Sequence, residues 1–259
     1  MIDLSVKDIN IYNDDCFNIL PQIPDESINL ILCDLPYAET GNSWDKQPIN
    51  LEKLFEQYRR IIKEDGCIAL TGTFKFGVQL YNIAPDLYKY DWVWEKDNGT
   101  NVANVNYQPF RVHEFVFIFG KGIASPGNRT SMKYHPQKTQ GTPYSQTSGR
   151  MSTNWHGGLG KVMTVNEDGK RHPRTIQFFN RDKEGYHPTQ KPVEMMEYFI
   201  QTYTDEGDVV LDNCMGSGST GVAAVKCGRK FIGTEKEKEY FDIAEKRIKE
   251  MKNAQSLWF

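Results

Sequence analysis

Apolar and polar positions follow two regimes along this chain. Over roughly the first 120 residues, short apolar runs take turns with segments of helical spacing. Ile9-Asn10-Ile11-Tyr12 reads as a short strand ending at Asp14-Asp15-Cys16, and Phe17–Leu20 begins a helical turn. Ile28-Asn29-Leu30-Ile31-Leu32-Cys33 has the near-continuous apolar character of a parallel strand covered on both faces. Leu51–Ile62 carries apolar residues at 51, 54, 55, 58, 61 and 62, one face of a helix. Past Gly66, Cys67–Thr71 is the next buried strand, and Val78–Ile83 reads as a further helix. Trp92–Glu95 and Phe115–Phe119 read as two late strands. From Gly120 to Tyr186 the periodic runs nearly vanish, and Gly, Ser, Thr, Asn, Pro and Lys dominate. That stretch is too long for an ordinary loop. Regular patterning returns with a helix over Val193–Tyr203, a strand over Asp208–Leu211 and a helix over Ser219–Lys226. A strand over Lys230–Gly233 and an amphipathic helix over Tyr240–Met251 complete the chain. Strands alternating with helices predict an α/β fold with a mostly parallel sheet.

Composition narrows the class. The 259 residues suffice for one large domain or two small ones. With 39% hydrophobic and 25% charged residues, the chain is of ordinary globular make-up. No apolar run approaches the roughly 20 residues that span a bilayer, so no membrane partner is expected. Met1-Ile2-Asp3-Leu4-Ser5 lacks the basic-then-apolar pattern of a secretion leader, and a cytoplasmic location is expected. Cys16, Cys33, Cys67, Cys214 and Cys227 form no Cys-x-x-Cys pair, which favours buried reduced thiols and no metal site. The net charge of −3 conceals an asymmetry: Lys121–Lys191 holds 12 basic and 4 acidic residues, a local +8, against −11 elsewhere. A basic segment in an acidic scaffold is what a phosphate-facing surface needs. Tyr134, Tyr144, Trp155, Phe178, Phe179 and Tyr186 are interleaved with those charges, as rings that stack on bases would be.

Two strand ends carry candidate chemistry. Val209-Val210-Leu211-Asp212 runs through Asn213-Cys214-Met215 into Gly216-Ser217-Gly218-Ser219, a glycine loop opening a helix. Glycines let a backbone approach a ligand, and the free N–H groups of a helix start favour a negative group. Glu235, just beyond the next strand, stands where an acidic residue accepts from ribose hydroxyls. Gly216, Gly218 and Gly221 nearly match the dinucleotide fingerprint, so on this loop alone a nicotinamide-type cofactor stays open. Asp34-Leu35-Pro36-Tyr37 follows the Ile28–Cys33 strand. A carboxylate and a main-chain carbonyl that accept from an exocyclic amine favour its pyramidal, attacking form. Asp34 supplies the carboxylate, Pro36 stiffens the turn without donating an N–H, and Tyr37 offers a stacking face for an extruded base. His135, His156 and His172 are scattered among loops and read as surface residues.

The order of these motifs, chemistry first and glycine loop second, resembles that of the amino-methyltransferases of DNA, in the permuted class called beta. The family's tetrapeptide is Asp/Asn/Ser-Pro-Pro-Tyr/Phe/Trp, from which Leu35 departs, as does Asn213-Cys214 from the family's Pro-Phe. Asn42–Asp45, His113-Glu114-Phe115 and His187–Pro192 resemble further family elements. The resemblance implies a Rossmann-like, mostly parallel seven-stranded sheet with helices on both faces, in circularly permuted order. Residues 1–120 and 187–259 would form the catalytic and cofactor-binding domain, and 121–186 a loop-rich target-recognition insertion. The implied cofactor is S-adenosylmethionine, held by Asp15, Cys16, Asp34, Thr189, Lys191, Asp212, Asn213, Gly216, Gly218, Ser219 and Glu235. Thr189 and Lys191 would reach its methionine end, and Asp15 with the Cys16 backbone its adenine. Asp34, Pro36 and Tyr37 would be catalytic. The implied partner is double-stranded DNA with the target base flipped out, and a homodimer and a cognate restriction endonuclease are left open. Asp at the first motif position favours adenine N6 within the family. The alternatives are cytosine N4 and a DNA-binding module without catalysis.

Overall fold

The apolar run at Ile28–Cys33 forms the centre of a sheet, every one of its residues buried. The computed structural model describes residues 2–3, 8–36, 49–147, 163–182 and 190–256. In chain order the first elements are strand β1 (Ile9–Tyr12), helix α1 (Cys16–Ile19) and strand β2 (Ile28–Cys33). Helix α2 (Leu51–Ile61) runs straight into β3 (Ile62–Gly72), and α3 (Phe74–Ile83) precedes the long pair β4 (Tyr88–Thr100) and β5 (Arg111–Phe119). Five short strands follow: β6 (Thr139–Gln140), β7 (Tyr144–Thr147), β8 (Met163–Asn166), β9 (Lys170–Arg171) and β10 (Ile176–Phe179). Helix α4 (Val193–Tyr203), β11 (Val209–Asp212), α5 (Ser219–Lys226), β12 (Lys230–Thr234) and α6 (Lys238–Ser256) close the chain.

The main sheet runs β1-β12-β11-β2-β3-β5-β4-β10. Its pairs are parallel except the two made by β5. It therefore has eight strands where seven were expected. The added strand is β10, which joins β4 in parallel from Ile176↔Val93 to Phe179↔Lys96. Its four residues, Ile-Gln-Phe-Phe, are too few to stand out from the polar stretch around them. The pairing is tied by Trp94, whose indole N–H donates to the Phe179 carbonyl at 2.9 Å.

Period-2 alternation sends successive residues to opposite faces. Ile31, Leu70 and Phe119 face α2 and α3, meeting Leu54, Phe55, Tyr58, Phe76 and Leu80. Leu30, Leu32, Val116 and Phe231 face the other way, meeting Met195 and Phe199 of α4, Val222 and Ala223 of α5, and Ile248 of α6. Helices thus cover both faces. Helix α3 begins four residues before the expected Val78 because the Thr73 hydroxyl caps it, accepting from Phe76 N–H at 3.3 Å.

Two compact units result: Met1–His135 with Thr175–Phe259, and Pro136–Arg174. The second is narrower than the 121–186 stretch marked by composition. Its flanks belong to the α/β unit, where Met132 is buried and His135 N–H donates to the Thr202 carbonyl at 2.7 Å. Within Pro136–Arg174, β6 pairs with β9 and β7 with β8, both antiparallel. Arg171 holds this unit together: its guanidinium donates to the Gly169 carbonyl at 2.7 Å, to Asn166 Oδ1 at 3.0 Å and to the Thr142 carbonyl, and lies over the Tyr144 ring. No helix among the described residues is long and apolar enough to cross a membrane.

Candidate functional site

Parallel strands deliver their last residues to one edge of the sheet, and the candidate site is built from four such ends. Strand β1 ends at Tyr12, and Asp15 caps α1 by accepting from Phe17 N–H at 2.9 Å. The register Tyr12↔Thr234 sets the end of β12 beside it, and Glu235 N–H donates to the Tyr12 carbonyl at 3.0 Å. Strand β11, next in the sheet, ends at Asp212 and opens into the glycine loop. Strand β2, beyond it, ends at Cys33 and delivers Asp34.

A cavity of about 650 Å³ lies over these ends. Of the residues expected there, Asp15, Cys16, Asp34, Pro36, Lys191, Asp212, Asn213, Gly216, Ser219 and Glu235 all line it. Tyr240, which with Glu235 fits the resembled family's second cofactor strand, lines it as well, and so do Asp14, Ile49, Asn50, Gln190 and Met215, which had been assigned no role in the site from sequence. Tyr37 and Thr189 lie outside the described residues. Gly218 does not line the cavity. It sits at φ 81°, and a Cβ there would come within 2.8 Å of Ala244 Cβ on α6. Its glycine serves the turn and the packing of α6 rather than a ligand. Gly216 is different: at φ 51° a Cβ would meet nothing within 4 Å, so a side chain there would project into open cavity.

The loop is fixed from both sides. Gly216 N–H donates to Glu235 Oε2 at 2.9 Å, and Glu237 N–H to Glu235 Oε1 at 2.8 Å. Burial is the largest influence on Glu235 and pushes its carboxyl above the usual range, with those N–H groups opposing it. Each carboxylate oxygen keeps a second lone pair for a hydroxyl. Asn213 is held inside by Tyr58, whose hydroxyl donates to Asn213 Oδ1 at 2.5 Å, and by Thr234, whose hydroxyl donates to the Asn213 carbonyl at 2.7 Å. This position is thus a polar anchor of the loop. Asp212 is buried, and that burial pushes its carboxyl up to about 6 against donors from Thr220, Cys214 N–H and Cys33. Ser219 Oγ is buried on the cavity wall without a hydrogen-bond partner among the described residues.

Asp34 lies at the far end of the cavity. Its Oδ1 accepts from the Thr71 hydroxyl and its Oδ2 from the Lys191 ammonium at 2.5 Å. Lys191, expected at the methionine end of a cofactor, lines the cavity beside Asp34, with its ammonium also 3.4 Å from Glu114 Oε2. Glu114 in turn pairs with Lys96. Leu35, at the position where the resembled pattern has proline, is buried in the core. Cys16 and Cys214 line the same cavity and Cys33 is buried nearby. The hydrogen bond with Cys214, then burial, push the Cys16 thiol up, and burial pushes Cys33 up to about 12. Neither offers a thiolate nucleophile. Among the described residues no cluster could hold a metal ion.

A Rossmann-like sheet with a glycine loop, an acidic strand end and a separate carboxylate over one cavity defines a methyltransferase fold. Solved structures agree: the M1.HpyAVI complex with SAM covers 92% of this chain and 99% of its own, with a TM-score of 0.62 and 24% identity. The cytosine-N4-specific PvuII DNA methyltransferase covers 95% of this chain and 92% of its own, with a TM-score of 0.65 and 17% identity. The family model described as DNA methylase, for N6 and N4 methyltransferases, matches residues 28–246, and the chain belongs to that family. The type II methyltransferase M2.LlaDCHI of Lactococcus lactis subsp. cremoris is 28% identical over 90% of this chain and 87% of its own length.

Proposed function

We propose that this protein transfers a methyl group from S-adenosylmethionine to the exocyclic amine of a base in DNA, with adenine N6 as the target. The observation that carries the reading is the shared cavity: Asp34 lines it together with Glu235 and Gly216. Its volume suits a nucleoside-sized cofactor, and the unpartnered Ser219 hydroxyl and the open face of Gly216 fit one. Asp15, Cys16, Asp212, Asn213, Gly216, Ser219 and Glu235 would hold it, Glu235 through ribose hydroxyls. When bound, the cofactor supplies an electrophilic methyl group.

The chain's own residues do the rest. Asp34 accepts from the target amine and favours its pyramidal form. Pro36 keeps the turn rigid with no N–H to compete. Tyr37 stacks on a base that has left the helix. Holding amine and methyl in line supplies much of the acceleration, and the raised thiols leave no call for a covalent enzyme intermediate. The motif order, with the Asp34 turn ahead of the glycine loop, is read as circular permutation. Asp at the first motif position favours adenine over cytosine. The unit Pro136–Arg174, with six basic and two acidic residues and a net +4, is read as the DNA-facing part. A cytoplasmic location goes with this reading.

The test is incubation of the protein with DNA and labelled S-adenosylmethionine, followed by mass spectrometry of the nucleosides. N6-methyladenine is the expected product. N4-methylcytosine overturns the choice of base, and no methylated nucleoside overturns the reading.

A further inference from the structure

Asp34 can serve an incoming amine only if one of its oxygens can accept. Each oxygen already accepts once from the protein, Oδ1 from the Thr71 hydroxyl and Oδ2 from the Lys191 ammonium, and keeps one lone pair. The stronger donor is the ammonium, and at 2.5 Å from Oδ2 it competes for that oxygen's charge with any amine N–H that would share it. Lys191 is 6% exposed, so bulk water is not at hand to take it over.

An acceptor for it is nevertheless close. Glu114 Oε2 is buried, lies 3.4 Å from Lys191 Nζ, and makes no hydrogen bond among the described residues. The other oxygen of Glu114 is occupied by Lys96, whose ammonium is 5% exposed and lies over the Trp94 ring. Burial is the largest influence on the Glu114 carboxyl and would raise it, but Lys191 and Lys96 outweigh it and hold the group at about 2. The four charges Lys96, Glu114, Lys191 and Asp34 sum to zero. A shift of the Lys191 ammonium toward Glu114 keeps the cluster neutral as a whole but leaves Asp34 without its cation, a cost that the positive charge developing on the methylated nitrogen offsets.

We propose that Glu114 is a positioning residue that draws the Lys191 ammonium off Asp34 as the target amine arrives, freeing Asp34 Oδ2 to accept from it. This rests on the amino-methyltransferase reading above. Asp34 touches the amine; Glu114 acts through Lys191 and touches neither amine nor cofactor. The row Asp34, Lys191, Glu114, Lys96 reaches from the end of β2 to β4, next to the edge strand β10.

The experiment is single-turnover methylation of DNA at saturating S-adenosylmethionine, with E114Q, E114Q/K191Q and K96M/E114Q beside wild type. Cofactor affinity by calorimetry and DNA affinity are measured in parallel. E114Q should lower the rate at least about 10-fold, the scale of one charge-assisted hydrogen bond left in the way. Both affinities should stay within about two-fold of wild type, since the lost step follows binding. K96M/E114Q removes one charge of each sign and should show the same loss, which covers the case where E114Q folds poorly. E114Q/K191Q should be faster than E114Q, because Asp34 then has no ammonium to shed, whereas a merely structural Glu114 gives no such recovery. A wild-type rate in both Glu114 variants that keep Lys191, or a double variant no faster than E114Q, overturns the exchange alone. A wild-type protein that methylates no DNA overturns the reading of function and the exchange with it.

Discussion

Two carboxylates at the site, Asp34 and Asp212, meet opposite surroundings. Asp34 is partly open and sits among donors, while Asp212 is buried at the root of the glycine loop. Asp34→Ala should lower turnover at least about 100-fold, the usual loss for a group that stabilises a transition state. Calorimetry should show cofactor binding largely intact, and near-normal methyl transfer would remove Asp34 from the catalytic role. Asp212 has a consequence for stability. Burial raises its carboxyl from 3.8 to about 6, so between those values the folded chain holds the extra proton. Stability must then fall as pH rises through that window. Asp212→Asn keeps the shape without the charge and should gain on wild type between about pH 4 and pH 7, by up to about 3 kcal/mol for a shift of this size. Denaturant melts across that range would show it, and a difference independent of pH would contradict the burial argument. Glu114 has the opposite sign: held at about 2, its stabilisation is complete above 4.5 and is lost as pH falls toward 2.

The glycine loop separates a ligand-facing position from a packing position two residues on. Gly216→Ala adds a methyl group that meets no protein atom, at the cost of a left-handed backbone, roughly 1 kcal/mol. Its main effect should be on S-adenosylmethionine affinity, because the methyl group enters the cavity. Gly218→Ala carries the same strain and also drives a Cβ against Ala244, so it should lose more stability than Gly216→Ala. Comparing thermal melts and calorimetry for the two variants checks the division; equal losses of stability would refute it. Both glycines were legible in the sequence as one motif, and only the position of α6 tells them apart. The regular elements were legible where apolar periodicity is uninterrupted: β2, α4 and α5 fall where their spacing places them. Strand β10 was not, because four residues inside a polar stretch acquire meaning only by pairing with β4. Asp34, Gly216 and Glu235 stand at strand ends, which a linear reading can find. The row Lys96–Glu114–Lys191 is assembled across neighbouring strands and the start of α4 by packing, and no spacing along the chain announces it.

At the scale of the whole molecule, the charge asymmetry of the sequence divides into two parts. The stretch between 121 and 191 has 12 basic residues, and among the described ones at least four are matched by carboxylates of the α/β unit. Lys121 pairs with Glu26, Lys133 with Asp205 and Asp208, Arg181 with Asp97, and Lys191 with Asp34. Charges so paired hold the scaffold and have little left for phosphates. The surplus that remains is concentrated in Pro136–Arg174, at +4. Not all of that is free either, since Arg171 is spent on the Gly169 and Thr142 carbonyls and on Asn166. Replacing Arg171 would therefore confound loss of charge with loss of this unit's structure. Lys138 and Lys170 are exposed and make a cleaner pair. The double variant Lys138→Ala with Lys170→Ala should weaken binding to any DNA sequence alike. Each phosphate contact contributes about 0.9 to the salt slope, so losing two should flatten log K against log salt by about 2. Titrations of wild type and variant at several salt concentrations measure this directly. An unchanged slope would move the DNA surface away from Pro136–Arg174, while a loss confined to one base position would mean that these lysines read bases rather than phosphates.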